Sequence, residues 1–466
     1  MLFSGIPFLY YFLPVVLIVY FLAPKRARNA VLLASSLLFY AWGEPKYVLL
    51  MFLSVVLGYV FGLLIERSHG RRQSKLWLAL SAVSGLGFLA YFKYADFFIF
   101  NFNALTGMSV PLLKIALPIG ISFYTFQILS YTVDVYRGEV KAQRNIVNFG
   151  AYVALFPQLI AGPIVRYVDV ANQLESRTVT PEKVWLGARR FIIGLSKKVL
   201  VANLLGELCS TFRASPDKSV LFYWVYAVAF SLHIYFDFSG YSDMAIGLGK
   251  IFGFDFPENF NYPYISKSVT EFWRRWHISL GSWFRDYVYI PLGGNRVTKP
   301  RWMFNILVVW MLTGLWHGAA WNFVVWGLFF ALWLVAEKLF LGKPLAKVPM
   351  LSHIYVLLLV TTSFVIFNAA DMGQALSDLS GMFGLSGAPA VTAGTLYCLR
   401  NYAVILALAL IGCTPVCKMA VLRLENSEKT GRIIRVAEPA VLIALLLLVT
   451  AYLVDGSFNP FLYFRF

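Results

Sequence analysis

The sequence predicts an all-α, polytopic membrane protein, and three observations lead there. Of its 466 residues, 59% are hydrophobic and only 14% are charged, whereas soluble domains carry about 25% charged residues. Apolar runs long enough to cross about 30 Å of hydrocarbon recur from end to end. The short alternating segments that mark a membrane β-barrel are missing.

Taken in order, the candidate spans lie at 6–23, 30–42 with 46–65, 76–92, 112–133, 146–164, 186–205, 220–250, 303–336, 351–370, 400–417 and 436–454. They amount to about ten to twelve crossings, some of them short or re-entrant. The first run lacks a basic start, contains Pro14, and meets Lys25, Arg26 and Arg28 without a small-residue cleavage site. It reads as a span that stays in the protein rather than a signal peptide. With no internal repeat and no low-complexity linker, residues 1–466 are expected to form one membrane domain, with 455–466 an aromatic tail.

The net charge of +17 sits in loops between spans. Anionic lipid and the positive-inside bias account for it, so the expected partner is the bilayer and not nucleic acid. Basic residues after the first span, in 66–75, in 137–144 and before the last span lead to the expectation that the N-terminus and the tail face outside. Cys209, Cys398, Cys413 and Cys417 lie in or beside apolar segments and imply neither a disulfide framework nor a metal site.

Two stretches are poor ordinary spans. Leu117-Pro118-Ile119-Gly120 and the run from Phe156-Pro157 to Gly162-Pro163 put helix breakers at membrane depth. Non-helical backbone is tolerated there only when buried in protein or lining a wet cavity. Each alone is equally well a kinked helix; two so close in sequence favour a cavity.

Residues 233–296 carry the most polar chemistry. Asp237 and Asp243 fall inside an apolar run and are expected to face a polar interior. From Val269 to Tyr287, apolar residues recur at helical spacing, opposite Lys267, Glu271, Arg274, Arg275 and Arg285. The pattern predicts a surface helix with its tryptophans in the interface and His277 between its two faces. The three arginines suit either lipid headgroups or the phosphates of an acyl donor.

The stretch Trp302–Trp326 is nearly free of charge and holds one imidazole, His317, beside Trp316. An ionisable ring at such depth is costly and marks a candidate site. A structural histidine bonded between helices is the competing explanation. Phosphate loops, nucleophile elbows and the H-E-x-x-H zinc signature are missing. A histidine that takes the proton of an attacking hydroxyl suits acyl transfer without a metal. On these residues alone, a proton-coupled transporter or flippase of an envelope precursor fits nearly as well, and a scaffold that recruits polymer-modifying enzymes is a third class.

Several long pieces are similar to one family. They are Phe39-Tyr40-Ala41-Trp42-Gly43, the segment Leu117–Gln127, the segment Phe156–Ile164 and the segment Tyr235–Asp243. The most specific are Phe272-Trp273-Arg274-Arg275-Trp276-His277-Ile278-Ser279-Leu280 and Gly314-Leu315-Trp316-His317-Gly318. The chain resembles the membrane-bound O-acyltransferases (MBOAT), in particular the bacterial branch of the alginate O-acetyltransferase membrane subunit. The resemblance implies a helical disc with a central funnel or tunnel, His317 as the catalytic histidine and His277 as a second signature position. It implies an acyl thioester such as acetyl-CoA as donor substrate, no bound cofactor, and a secreted or membrane-tethered acetyltransferase partner that acts on alginate, another exopolysaccharide or peptidoglycan. The ending Ser457–Phe466 looks like the aromatic motif that the D-alanyl branch carries on a separate small peptide. The resemblance implies that Tyr463 carries the acyl group; an interfacial anchor of five aromatic rings is the alternative.

Overall fold

The structure is a computed structural model that describes residues 3–160, 162–456 and 461–462, the side chains of 428 and 429 aside. The described residues are overwhelmingly helical, and their only β feature is an isolated bridge between Phe260 and Trp276. Among the described residues, seven helices are long and apolar enough to cross a membrane: Val48–Arg67, Arg72–Thr106, Val220–Ile251, Trp321–Ala346, Pro349–Asn368, Ala393–Gly412 and Thr430–Asp455. The chain is a multi-pass membrane protein. Their burial sorts them by neighbour. The windows in Arg72–Thr106 and Thr430–Asp455 are each 11% buried inside the protein, so their apolar surface faces lipid; that in Val220–Ile251 is 78% buried and is surrounded by protein.

Beyond these seven, other apolar runs make shorter helices. The first gives Phe8–Leu22, and the run at 146–164 breaks into Ile146–Ala154 and Phe156–Leu159. The run at 303–336 divides at Gly318 into Lys299–His317 and Trp321–Ala336. Trp302–Trp326 is therefore a hairpin of two helices, with His317 at its bend.

The chain forms two compact units. The first comprises 1–191 and 244–257, the second 192–243 and 258–466. In the first, Phe3, Phe8, Phe12, Phe39 and Phe156 pack ring to ring with centroids 4.6–6.2 Å apart. Arg177 ties distant segments together, donating to the Phe252 carbonyl at 2.9 Å and to Asn29 Oδ1 at 2.7 Å. The two broken stretches meet here. Gly120 has φ of 75°, and a Cβ on it would lie 2.7 Å from the Leu159 carbonyl oxygen. Glycine thus supplies both the left-handed turn before Ile121–Arg137 and the close approach. Pro118 and residues 156–160 are buried, so protein covers the breaks between these helices.

In the second unit the hairpin helices approach at glycines. A Cβ on Gly314 would lie 2.2 Å from the Phe323 carbonyl oxygen, and one on Gly327 2.2 Å from that of Trp310. Small residues let helix backbones touch in a bilayer, where dispersion rather than water exclusion drives association. Trp273, Trp310, Trp326 and Phe330 fill the adjoining space with near-perpendicular and tilted pairs 4.7–5.6 Å apart. Each such pair contributes about 0.5–1.5 kcal/mol beyond its area burial.

Candidate active site

The surface helix expected over 269–287 is not continuous. Val269–Arg275 ends at Trp276, and Ile278–Phe284 begins after His277, whose φ of 45° is left-handed. Trp276 and Trp283 are buried in protein rather than placed at a lipid interface. The break is pinned on both sides. The Asn261 N–H donates to the Arg275 carbonyl at 2.9 Å, and the Ile278 N–H donates to the Asn259 carbonyl at 3.0 Å. A non-glycine residue at positive φ costs of order 1–3 kcal/mol and persists only where its surroundings over-determine it. Glu337 anchors the start of Val269–Arg275, its carboxylate accepting from Val269 N at 2.6 Å and Thr270 N at 3.1 Å. A carboxylate is favoured at a helix N-terminus, where free N–H groups point outward.

His277 is 2% exposed, and its Nδ1 lies 3.2 Å from Asn259 Oδ1. That oxygen also accepts from the Ser279 backbone N–H at 3.2 Å and from Ser279 Oγ at 2.8 Å. Asn259 Nδ2 donates to Ser242 Oγ at 3.1 Å, which completes the orientation of the amide. A backbone N–H can only donate, so the Asn259 atom it meets is the carbonyl oxygen, and His277 Nδ1 must carry the proton. The Nε2 lone pair is then the basic one, and Nε2 has no hydrogen-bond partner among the described residues. Burial pushes the imidazole down to about 3, so it is neutral at physiological pH.

His317 closes the helix Lys299–His317 and is 8% exposed. Its ring packs near-perpendicular to Trp316, Trp326 and Phe367, with centroids 5.0–5.1 Å away. Asn322 holds the Phe367 side of this cage, donating to the Ala369 carbonyl at 3.0 Å just past the helix Pro349–Asn368. Asn305 donates to the Leu292 and Gly294 carbonyls at 3.2 and 3.1 Å and ties the preceding loop to the same helix. The two imidazoles share a neighbour: the Trp316 ring lies 5.9 Å from that of His277 and 5.0 Å from that of His317.

The remaining candidates are placed elsewhere. Asp237 is 2% exposed and pairs with Lys198 at 2.6 Å, while Asp243 pairs with Lys197 at 2.7 Å. They are the acidic halves of ion pairs. Arg275 pairs with Glu271 at 2.9 Å, exposed Arg285 pairs with its neighbour Asp286 at 2.7 Å, and Arg274 is exposed. Tyr463 lies outside the described residues. Sequence reasoning missed Asn259, Asn322 and Glu337. Asn259 is a polar residue eighteen positions before His277, in a loop whose pairing with 275–278 no local pattern announces.

The chain is similar to known acyltransferases of cell-envelope polymers. A probable alginate O-acetylase, AlgI, of Azotobacter vinelandii is 46% identical over 389 residues, covering 82% of this chain and 78% of the relative. A peptidoglycan O-acetyltransferase of Helicobacter pylori is 33% identical over 424 residues, 83% of this chain and 80% of the relative. A teichoic acid D-alanyltransferase of Bacillus subtilis is 31% identical over 235 residues, 48% of this chain and 59% of the relative. The profile described as MBOAT, membrane-bound O-acyltransferase family, matches residues 79–367, a segment that holds both histidines, Asn259 and the hairpin. With the all-helical, multi-pass architecture and these matches together, the chain belongs to the membrane-bound O-acyltransferase family and is an O-acyltransferase.

Proposed function

We propose that this enzyme takes an acetyl group from a cytoplasmic thioester, acetyl-CoA or an acylated carrier, for O-acetylation of an alginate-like exopolysaccharide or peptidoglycan outside the membrane. The relatives that cover most of the chain carry names for acetylation of those two polymers. The observation that carries the reading is the pair of histidines around Trp316, one of them locked by Asn259 into the tautomer with a basic Nε2.

In the proposed reaction a hydroxyl, that of Tyr463 or of the acceptor, attacks the thioester carbonyl carbon. His317 takes its proton, the new C–O bond forms, the C–S bond breaks, and the leaving thiolate takes the proton back from the imidazolium. The charge that develops on His317 falls at a helix C-terminus, where the backbone dipole favours a cation. Neutral His277 orients the thioester or shares the proton transfer through Nε2. Arg274, Arg275 and Arg285 are proposed contacts for donor phosphates on the cytoplasmic side. A secreted or membrane-tethered partner completes transfer to the polymer in an inner-membrane complex whose N-terminus and tail face outward.

The test is turnover of acetyl-CoA by purified protein. His317→Ala is expected to lower it by about 10²–10⁴, and Tyr463→Phe to abolish acetylation of the polymer. Wild-type turnover by His317→Ala sinks the assignment of His317, and full polymer acetylation by Tyr463→Phe removes the carrier step. Movement of unmodified polymer without thioester cleavage supports a transporter instead.

A further inference from the structure

The long helix Val220–Ile251 holds a second arrangement, which the chemistry above does not use. Lys198 is 0% exposed and its ammonium donates to Asp237 Oδ1 at 2.6 Å. The other carboxylate oxygen, Oδ2, accepts the backbone N–H of Leu462 at 2.9 Å, from the C-terminal tail. The Phe461 ring, 1% exposed, lies 4.6 Å from the same Lys198 ammonium and edge-on to Tyr241 at 4.8 Å. One buried ion pair therefore grips the tail twice, by a backbone amide through the carboxylate and by an aromatic ring through the ammonium.

The grip is built into the helices. Lys198 lies in the π-helical turn Lys197–Ala202, and a Cβ on Gly240 would lie 2.8 Å from the Gly194 carbonyl oxygen and 3.2 Å from Lys198 N. Only a glycine lets the long helix come this close, which brings Lys198 within reach of Asp237. Single π-turns are rare and recur at functional sites. A buried ion pair is weak evidence for stability, because desolvation offsets its attraction. Here both halves of the pair have a second contact on the tail.

The clamp adjoins the candidate site along the same helix. Asp237, Phe238 and Tyr241 fall within about one turn of 3.6 residues, and the Phe238 ring packs edge-on to His277 at 4.6 Å. We infer that Lys198 and Asp237 are positioning residues for acyl transfer, holding the C-terminal tail at Phe461 and Leu462 beside the His277 site. Tyr463 is the next residue in the chain. The inference rests on the proposed function only for the benefit to catalysis, since the clamp itself is a binding statement.

Hydrogen–deuterium exchange of the full chain in nanodiscs, read by mass spectrometry on its C-terminal peptide, tests it. Lys198→Met/Asp237→Leu removes both charges together and leaves no uncompensated ion, while Phe461→Ala leaves the pair intact and loosens the tail from its own side. Loss of a charge-assisted hydrogen bond is expected to speed exchange at the Leu462 amide by about tenfold or more, with protection of helix 220–251 unchanged. Both variants are also expected to lower kcat for polymer acetylation without raising the KM for the thioester. Unchanged tail exchange in both variants overturns the clamp. Faster tail exchange with wild-type kcat overturns its positioning role. Neither result depends on His317→Ala, whose behaviour judges the proposed reaction separately.

Discussion

The two histidines sit in different surroundings. His277 sits at a break between two short helices, in a left-handed conformation, with Asn259 fixing its tautomer. His317 ends a long helix inside a cage of Trp316, Trp326 and Phe367. Hydrogen bonds and over-determined backbone orient one ring, and three aromatic rings at a glycine-lined hairpin surround the other. A polar clamp selects a protonation pattern, whereas an aromatic cage packs closely around its ring. The comparison teaches that two signature histidines in one sequence need not be a symmetric pair.

The largest expected effect separates them by role. His317→Ala should lower thioester turnover by about 10²–10⁴, the usual worth of a general base, measured on purified protein. An equal loss in His277→Ala with unchanged donor KM would make the two rings a single proton-transfer unit. Next comes Asn259→Ala, which removes the tautomer lock. Loss of one such hydrogen bond is expected to cost kcat about tenfold, seen as a fall in kcat at constant KM; wild-type kcat would mean that the lock is merely structural.

Gly314→Ala attacks the other histidine's support. A methyl group 2.2 Å from the Phe323 carbonyl oxygen forces the hairpin apart, and overpacking of this kind costs about 1–3 kcal/mol. A lower melting temperature in detergent, with His277-dependent features retained, is the expected outcome.

A further effect, confined to acid pH, is on stability. His277 is held down to about 3 by burial, while an unfolded histidine titrates near 6.5. Between those values the unfolded chain binds a proton that the folded chain refuses, so stability falls as pH drops from about 6.5 toward 3. His277→Gln should flatten that part of the slope in melting curves, leaving behaviour above pH 7 unaltered.

Much of the fold was legible because lipid imposes a strong rule. Backbone groups in hydrocarbon must bond within the segment, so apolar runs announce helices. The runs at 46–65, 220–250 and 351–370 correspond closely to Val48–Arg67, Val220–Ile251 and Pro349–Asn368. The run at 303–336 was misjudged in continuity, since Gly318 interrupts nothing in its hydropathy yet ends a helix. The surface helix over 269–287 failed for a related reason. Its spacing is helical on both sides of His277, and only pairing with the loop at 259–261 breaks it. Both histidines and Trp316 were identified from sequence, but not the contact of Trp316 with both rings.

By itself the sequence determined an all-α membrane chain, its family, and the imidazoles that mark its candidate site, because hydropathy and dense local motifs survive without three-dimensional context. Tertiary structure decided which proton His277 carries, which helices face lipid, and that Asp237 meets Lys198 and Leu462. Those facts depend on contacts between residues far apart in the chain, such as the 225 positions separating Asp237 from Leu462. No local period encodes such a contact; closing the chain creates it.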